Sequence, residues 1–443
     1  MKLEELKNKK ILIVGKGIEG SATLKYLKQH LPSAVIDIVD QKDGDNYLDQ
    51  QKKYDIAVKS PGVKKELIKI PYTTATNIFL SNAKGRVIGI TGTKGKSTTS
   101  TLIYKMLKED GKNAYFGGNI GQSPLEFLDN LNEHSWIVLE MSSFQLQDVK
   151  FSPQIALMLM IGEEHLDYHK TFEKYIDAKR NILRFQTPAD FAIINRDYPA
   201  SHESDIHTKA KVFGISRERE CENGSFVKDD AIWMSKDGKK EKIIDVDRIK
   251  LVGRHNLENV CAAVMTATLA GVSKKSIEKV LSEFSGLEHR LEFVAEKNGV
   301  RFYNDSLATI PQATIEALEA FPETETLIAG GHDRGLDYSP LAQYLKNGQI
   351  KTLILFPPTG IRIWEEVCKV VSKSNRPEKF DVKTMEQAVR IAFAETSLGK
   401  ICLLSPASAS FGVFKDYKDR GEQFKREVFR LKSEYQSTKS ETN

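Results

Sequence analysis

Apolar residues along this chain come in short runs that end in Gly, Ser, Pro or Asp, separated by polar stretches of helical period. The first run, "ILIVGKGIEG" (11–20), is an apolar strand leading into glycines, followed by a helical pattern through Leu24, Leu27 and Leu31. A second strand, "AVIDIVD", ends at Asp40, and a third, "YDIAVKSPGV", breaks at Ser60-Pro61-Gly62. Strand, helix and strand in alternation predict a parallel sheet with crossover helices. A second block starts near residue 83 and continues through "SWIVLEMS" (135–142), "IALMLMI" (155–161) and "FAIINRD" (191–197). Residues 201–250, rich in charge and short β runs, read as an antiparallel flap rather than a βαβ unit. A third block begins around "GLEHRLEFV" (286–294), with runs at "RFYND" (301–305), "TLIAGG" (326–331), "KTLILF" (351–356) and "ICLLSP" (401–406). The expected class is α/β, with ligands at the carboxyl ends of strands.

Composition narrows this picture without redirecting it. At 443 residues, 40% apolar and 28% charged, the chain has room for several ordinary globular domains. A net charge of +5 without a dense Lys/Arg cluster gives no reason to expect nucleic acid. The four cysteines (Cys221, Cys261, Cys368, Cys402) show no paired spacing and are expected as free thiols of a reducing compartment. The charged start "MKLEELKNKK" lacks a signal-peptide core, and no apolar run approaches the roughly 20 residues of a membrane span. A cytoplasmic location without membrane partners is the expectation.

Chemistry concentrates in four places. In "GITGTKGKSTTS" (89–100) the usual phosphate-loop spacing is missed, because Ile90 stands where the first glycine is expected and the earlier glycine is Gly92. Thr91, Gly92, Thr93, Lys94, Gly95, Lys96, Ser97 and Thr98 nevertheless keep the physical parts. Small residues turn backbone N–H groups inward, a helix N-terminus adds positive potential, Lys96 reaches phosphate, and the Ser97 hydroxyl suits Mg²⁺. "GKGIEG", with Gly15, Gly17, Gly20 and then Asp40, fits a dinucleotide fingerprint; taken alone it proposes a nicotinamide dehydrogenase, but any diphosphate ligand could use it. Glu140 ends a strand as a hard oxygen ligand, and "GEEHLDYH" gathers Glu163, Glu164, His165, Asp167 and His169 without the H-E-x-x-H spacing of a zinc site. Lys179, in "IDAKRNIL", reads by default as a solvated helical lysine. Asn256 and Asn259, in "GRHNLENVCAA", either read a base edge or cap the helix.

Taken in order, "TGTKGKSTT", "GGNIG", "LEMSSFQL", "EEHLDYH", "AKRNIL", "GRHNLEN", "GLEHRLE", "YNDS.AT" and "LLSPASAS...F...RG" resemble the Mur ligases of peptidoglycan synthesis over essentially the whole chain. The resemblance is nearest to the member that adds glutamate to UDP-N-acetylmuramoyl-L-alanine. It implies three domains: a Rossmann-like substrate domain (1–83), a P-loop ATPase-like centre (84–287) and a Rossmann-like C-terminal domain (288–443). It also implies ATP and Mg²⁺ as cofactors, an acyl-phosphate intermediate, and a monomer. Lys96 and Ser97 would bind phosphate and Mg²⁺, with Glu140 and His165 as further metal-side residues. Lys179 matches a lysine that CO₂ carbamylates into an anionic metal ligand. Asn256, Asn259, Arg290 and Asp305 would serve the nucleotide. Asn119 would contact the nucleotide sugar, whose diphosphate the first glycine loop would hold in place of NAD.

The glutamate end departs from the family pattern. Leu307 stands where the "N-D-S-x-A-T" motif carries Lys, Arg334 replaces a second Lys, and Tyr417 replaces Phe, while Thr309 and Ser410 are retained. An Arg holds a carboxylate differently from a Lys. These departures look similar to a branch that adds L-glutamate, the alternative to the D-glutamate expected by default. Other Mur-type or folylpolyglutamate-type ligases share the ATP centre but not "SSFQL" and "LSPASAS".

Overall fold

Near-continuous apolar runs are what a parallel sheet requires when helices cover both faces, and the computed structural model, which describes residues 1–251, 253–254 and 256–437, builds three such sheets. The chain divides into two compact units, Met1–Phe284 and Ser285–Asn443.

The first unit carries two sheets. One is parallel, with β1 (Ile11–Val14), β2 (Ile36–Val39), β3 (Ile56–Lys59) and β4 (Tyr72–Thr73) in the order β2-β1-β3-β4. The other contains β5 (Arg86–Thr91), β6 (Ala114–Gly118), β7 (Trp136–Glu140), β8 (Ile155–Met158), β9 (Phe191–Asn195), β10 (Lys211–Ser216), β11 (Gly224–Lys228), β12 (Ala231–Lys236) and β13 (Lys239–Asp245). Its order, β13-β12-β11-β10-β9-β8-β5-β7-β6, sets β5 between β7 and β8. The chain leaves β5 in one direction for β6 and β7 and returns on the other side as β8, so the carboxyl end of β5 is a topological switch point. The 201–250 segment does contain an antiparallel meander, β11 to β13, but it extends the main sheet through β10 instead of forming a separate flap. The two sheets share one hydrophobic core, in which Phe79 and Phe127 meet edge to face at 5.7 Å. The expected 83/84 boundary lies within that unit, in the loop between the helix Ala75–Asn82 and β5.

The second unit holds β14 (Glu292–Lys297), β15 (Val300–Asn304), β16 (Thr324–Gly330), β17 (Thr352–Phe356), β18 (Glu378–Asp381) and β19 (Ile401–Leu404), ordered β14-β15-β19-β16-β17-β18. All neighbours are parallel except the β14–β15 hairpin. Apolar clusters cover both faces of this sheet, one around Leu327 and Leu403, the other around Ile328 and Phe424. All four cysteines are free, with Cys221, Cys261 and Cys402 buried. Among the described residues no helix is long and apolar enough to cross a membrane.

Candidate active site

The loop after β5 is shaped by close approach. Gly95 has φ +84°, and a Cβ there would lie 2.1 Å from Asn259 Oδ1, so a side chain is excluded on two counts. Gly95 is also the N-cap of the helix Lys96–Glu109, whose first turn carries Lys96, Ser97 and Thr98. Thr93 is buried: its N–H donates to Met160 O at 2.7 Å, and its hydroxyl contacts Gly162 and the Tyr175 hydroxyl at 3.0 Å. Lys94 is exposed at the tip.

Two cations converge on one carbonyl here. Lys96 Nζ donates to Gly92 O and Thr93 O, each at 2.9 Å, and Lys179 Nζ donates to the same Gly92 O at 2.8 Å. Lys179 is 1% exposed, correcting the solvated-face expectation. It rides on the inward stripe of the helix Phe172–Arg184, with Tyr175, Ile176, Ile182 and Leu183, and its ammonium lies over the Tyr175 ring at 4.6 Å. Burial, and then the charge of Lys96, hold the Lys179 amine well below the ordinary lysine range; Glu164 and Glu140 oppose this.

Glu140, 1% exposed at the end of β7, faces the loop. It accepts the Ser97 hydroxyl at 2.7 Å on one oxygen and the Asn119 amide at 2.8 Å on the other. Asn119 is thereby engaged with the carboxylate. His165 is exposed, has φ +56°, and sits 3.7 Å from Glu164, which also accepts the Tyr175 hydroxyl at 3.4 Å. His169 is buried against Ser143 Oγ at 3.0 Å, Glu163 is exposed, and the Asp167 side chain lies outside the described residues. Asn259 takes the Thr99 hydroxyl at 3.3 Å and donates to Asn256 Oδ1 at 3.0 Å, so the two amides brace the glycine loop from the helix Asn256–Leu269.

In the first sheet, Gly15, Gly17 and Gly20 form the turn between β1 and the helix Ile18–His30, whose N-cap is Gly17. A Cβ on Gly20 would come within 1.9 Å of Gly15 O. The Asp40 carboxylate accepts Lys16 N at 2.7 Å and Lys42 N at 3.1 Å, which depresses its pKa and ties β2 to the glycine turn.

In the second unit the predicted residues gather at the carboxyl ends of β15, β16 and β19. Asp305 is buried, accepting Ser405 Oγ at 2.8 Å and Leu291 N at 3.2 Å; burial pushes its carboxyl up to about 7 against these bonds and the charge of Arg290. Thr309 is partly exposed and Ser410 buried. Arg334 is exposed and lies over the Phe411 ring at 5.8 Å, while Leu307 is 38% exposed. The Tyr417 ring meets His289 edge-on at 6.0 Å. Arg420, which carries no sequence-level role beyond closing the last motif, is fully buried. It donates to Ser306 Oγ, Ser306 O and Ser408 O at 2.8–3.0 Å, and burial lowers its guanidinium to about 9. Sequence reading also passed over Tyr175, although its i−4 spacing from Lys179 puts both on one helix face.

This arrangement, a phosphate loop at a sheet switch point beside a buried carboxylate, is that of a nucleotide-binding enzyme, and comparison with known proteins identifies its family. Residues 90–267 match the Mur ligase middle domain, and residues 289–408 the Mur ligase glutamate ligase domain. The UDP-N-acetylmuramoylalanine–D-glutamate ligase of Acetivibrio thermocellus is 35% identical, over 95% of this chain and 96% of its own. The protein of the same name from Geobacillus kaustophilus is 41% identical, over 86% and 84%. The fold is shared with MurC of Thermotoga maritima (18% identity, TM-score 0.57, 96% and 100% covered) and with MurF of the same organism in complex with ADP (17%, 0.55, 97% of each). The chain belongs to the Mur ligase family and is an ATP-dependent carbon–nitrogen ligase.

Proposed function

We propose that this enzyme joins D-glutamate to UDP-N-acetylmuramoyl-L-alanine in the cytoplasm, acting as a monomer. The names of the relatives support the substrates. The observation that carries the chemistry is the convergence of Lys96 and Lys179 on Gly92 O beside the Glu140–Ser97 pair.

A carboxylate resists attack by an amine until one oxygen becomes a leaving group. The substrate's carboxylate oxygen attacks the γ-phosphorus of ATP, the bond to the bridging oxygen breaks, and ADP leaves. The neutral amine of glutamate then attacks the acyl carbon, phosphate departs, and the nitrogen loses its proton. Lys96 and the loop amides from Gly92 to Thr98 stabilise charge on the transferred phosphoryl. A buried carboxylate beside a hydroxyl suits Mg²⁺, which Ser97, Glu140 and His165 would hold, and which when bound would neutralise phosphate charge. Lys179 is suited to carbamylation because only a neutral amine attacks CO₂: the nitrogen bonds to carbon, a C=O electron pair moves to oxygen, and the lost proton leaves an anionic carbamate. We assign Gly15, Gly17, Gly20, Asp40 and Asn119 to the sugar nucleotide, and Asn256, Asn259, Arg290 and Asp305 to the nucleotide. Thr309, Arg334, Ser410 and Tyr417 are assigned to glutamate, its carboxylate meeting the fork of Arg334. The division into 1–83, 84–287 and 288–443 follows these roles.

Hydroxylamine supplied in place of glutamate tests the mechanism. ATP-dependent formation of a hydroxamate of UDP-N-acetylmuramoyl-L-alanine is expected; ADP release without any hydroxamate would argue against an acyl phosphate.

A further inference from the structure

A lysine at the end of a strand ordinarily extends into water, but Lys59, the last residue of β3, does not. Its side chain is 0% exposed and pairs at 3.0 Å with Asp148, itself 4% exposed. The ammonium also donates to Val63 O at 2.9 Å and to Ser60 O at 3.3 Å, two carbonyls of the same turn, while its contact with the Asp148 carboxylate is an ion pair. That turn, Ser60-Pro61-Gly62-Val63, packs on the first glycine loop. Ser60 N donates to Val14 O at 2.9 Å, and the Ser60 hydroxyl fills the space 2.6 Å from where a Cβ on Gly15 would be.

Asp148 lies in the connection between β7 and β8 of the other sheet, eight residues after Glu140. Its second oxygen accepts the Tyr72 hydroxyl at 2.9 Å, and its carbonyl accepts Asn77 Nδ2 at 2.8 Å. One further bond runs directly from the same segment to the first sheet's side, and a second is relayed through Tyr168. Gln145 Nε2 donates to Glu19 Oε2 at 3.1 Å, in the first turn of the helix that Gly17 caps. Gln147 Nε2 donates to the Tyr168 hydroxyl at 2.9 Å, which reaches Val63 O at 3.5 Å. A buried ion pair contributes little net stability, because desolvation offsets the attraction, and its best-attested use is to fix register. This one fixes a turn of one sheet against the connection that follows Glu140 in the next.

We propose that Lys59 and Asp148 are positioning residues for the sugar nucleotide: the pair sets the Ser60–Val63 turn against the Gly15–Gly20 loop and ties both to the strand bearing Glu140. The inference rests on the assignment of that glycine loop to the nucleotide-sugar diphosphate. The pair touches no reacting atom, so it governs substrate affinity and not the phosphoryl step.

The test uses the full-length enzyme carrying Lys59→Met, Asp148→Asn, or the paired change Lys59→Met with Asp148→Leu. The paired change removes both charges, so neither is left buried alone, and folding, checked by a thermal melt, is expected to be retained. ADP release with UDP-N-acetylmuramoyl-L-alanine as varied substrate is expected to show KM raised about tenfold or more in the paired variant, with kcat and KM for ATP within about threefold of wild type. Amide hydrogen exchange without substrate gives a second readout: exchange at Ser60 and Val63 is expected to accelerate in the paired variant, while Thr93–Thr98 is unchanged. Unchanged exchange at Ser60 and Val63 together with an unchanged sugar-nucleotide KM would overturn the proposal, as would an equal loss in kcat and both KM values. If wild type fails to turn over this sugar nucleotide while exchange accelerates as expected, the brace stands and the substrate assignment falls.

Discussion

Lys179 shows how much one residue can conceal. Alone in a polar stretch it reads as solvated, yet Tyr175, Ile176, Ile182 and Leu183 lie at helical spacing around it and place it on the buried face. The signal was present, and the polarity of the side chain masked it. Burial and Lys96 together hold its amine well below the ordinary lysine range, and Lys179→Met should lower kcat by about 10²–10³-fold while the thermal midpoint holds or rises; a thermal melt beside a rate assay checks both halves. Asp305 is predicted to act on stability with the opposite polarity. Its folded pKa, about 7, exceeds the ordinary 3.8, so the folded chain keeps a proton that the unfolded chain releases. Stability should therefore fall as pH rises from about 4 to about 7, with no further loss from this group above that range. Asp305→Asn should flatten the profile in that window, as measured by denaturant melts at stepped pH. Neither Asp305's burial nor the clamp made by Arg420 was legible in the sequence, because both arise from loops distant along the chain.

At the scale of elements, strands with apolar runs ending in small residues were read correctly, since a doubly covered parallel sheet leaves few alternatives. Edge strands such as β4 and β18 were missed because they are short and half polar, with little burial to mark them. The displaced glycine spacing resolves at the level of the loop. Gly95, not the position of Ile90, is where the backbone must turn left-handed beneath Asn259. Gly95→Ala should raise KM for ATP by at least tenfold and lower stability by about 1–3 kcal/mol. Gly→Ala at the exposed Gly111, which meets no neighbour within 4 Å although its φ is +74°, serves as a comparison that separates backbone strain from collision.

For the whole molecule, the order of motifs along the chain pointed to the reaction before any geometry did, while the sharing of one core by the first two sheets is a tertiary fact that no local pattern encodes. At the proposed amino-acid end, the residues that depart from the expected family motif are Leu307 and Arg334. The guanidinium of Arg334 is carried over the Phe411 ring, and no lysine accompanies it at position 307. The most direct measurement is ADP release by the purified enzyme with ATP, Mg²⁺ and UDP-N-acetylmuramoyl-L-alanine, run with D-glutamate and, separately, with L-glutamate. The account predicts turnover that requires the sugar nucleotide and proceeds with D-glutamate. Release that ignores the sugar nucleotide, or that occurs with L-glutamate alone, would contradict it.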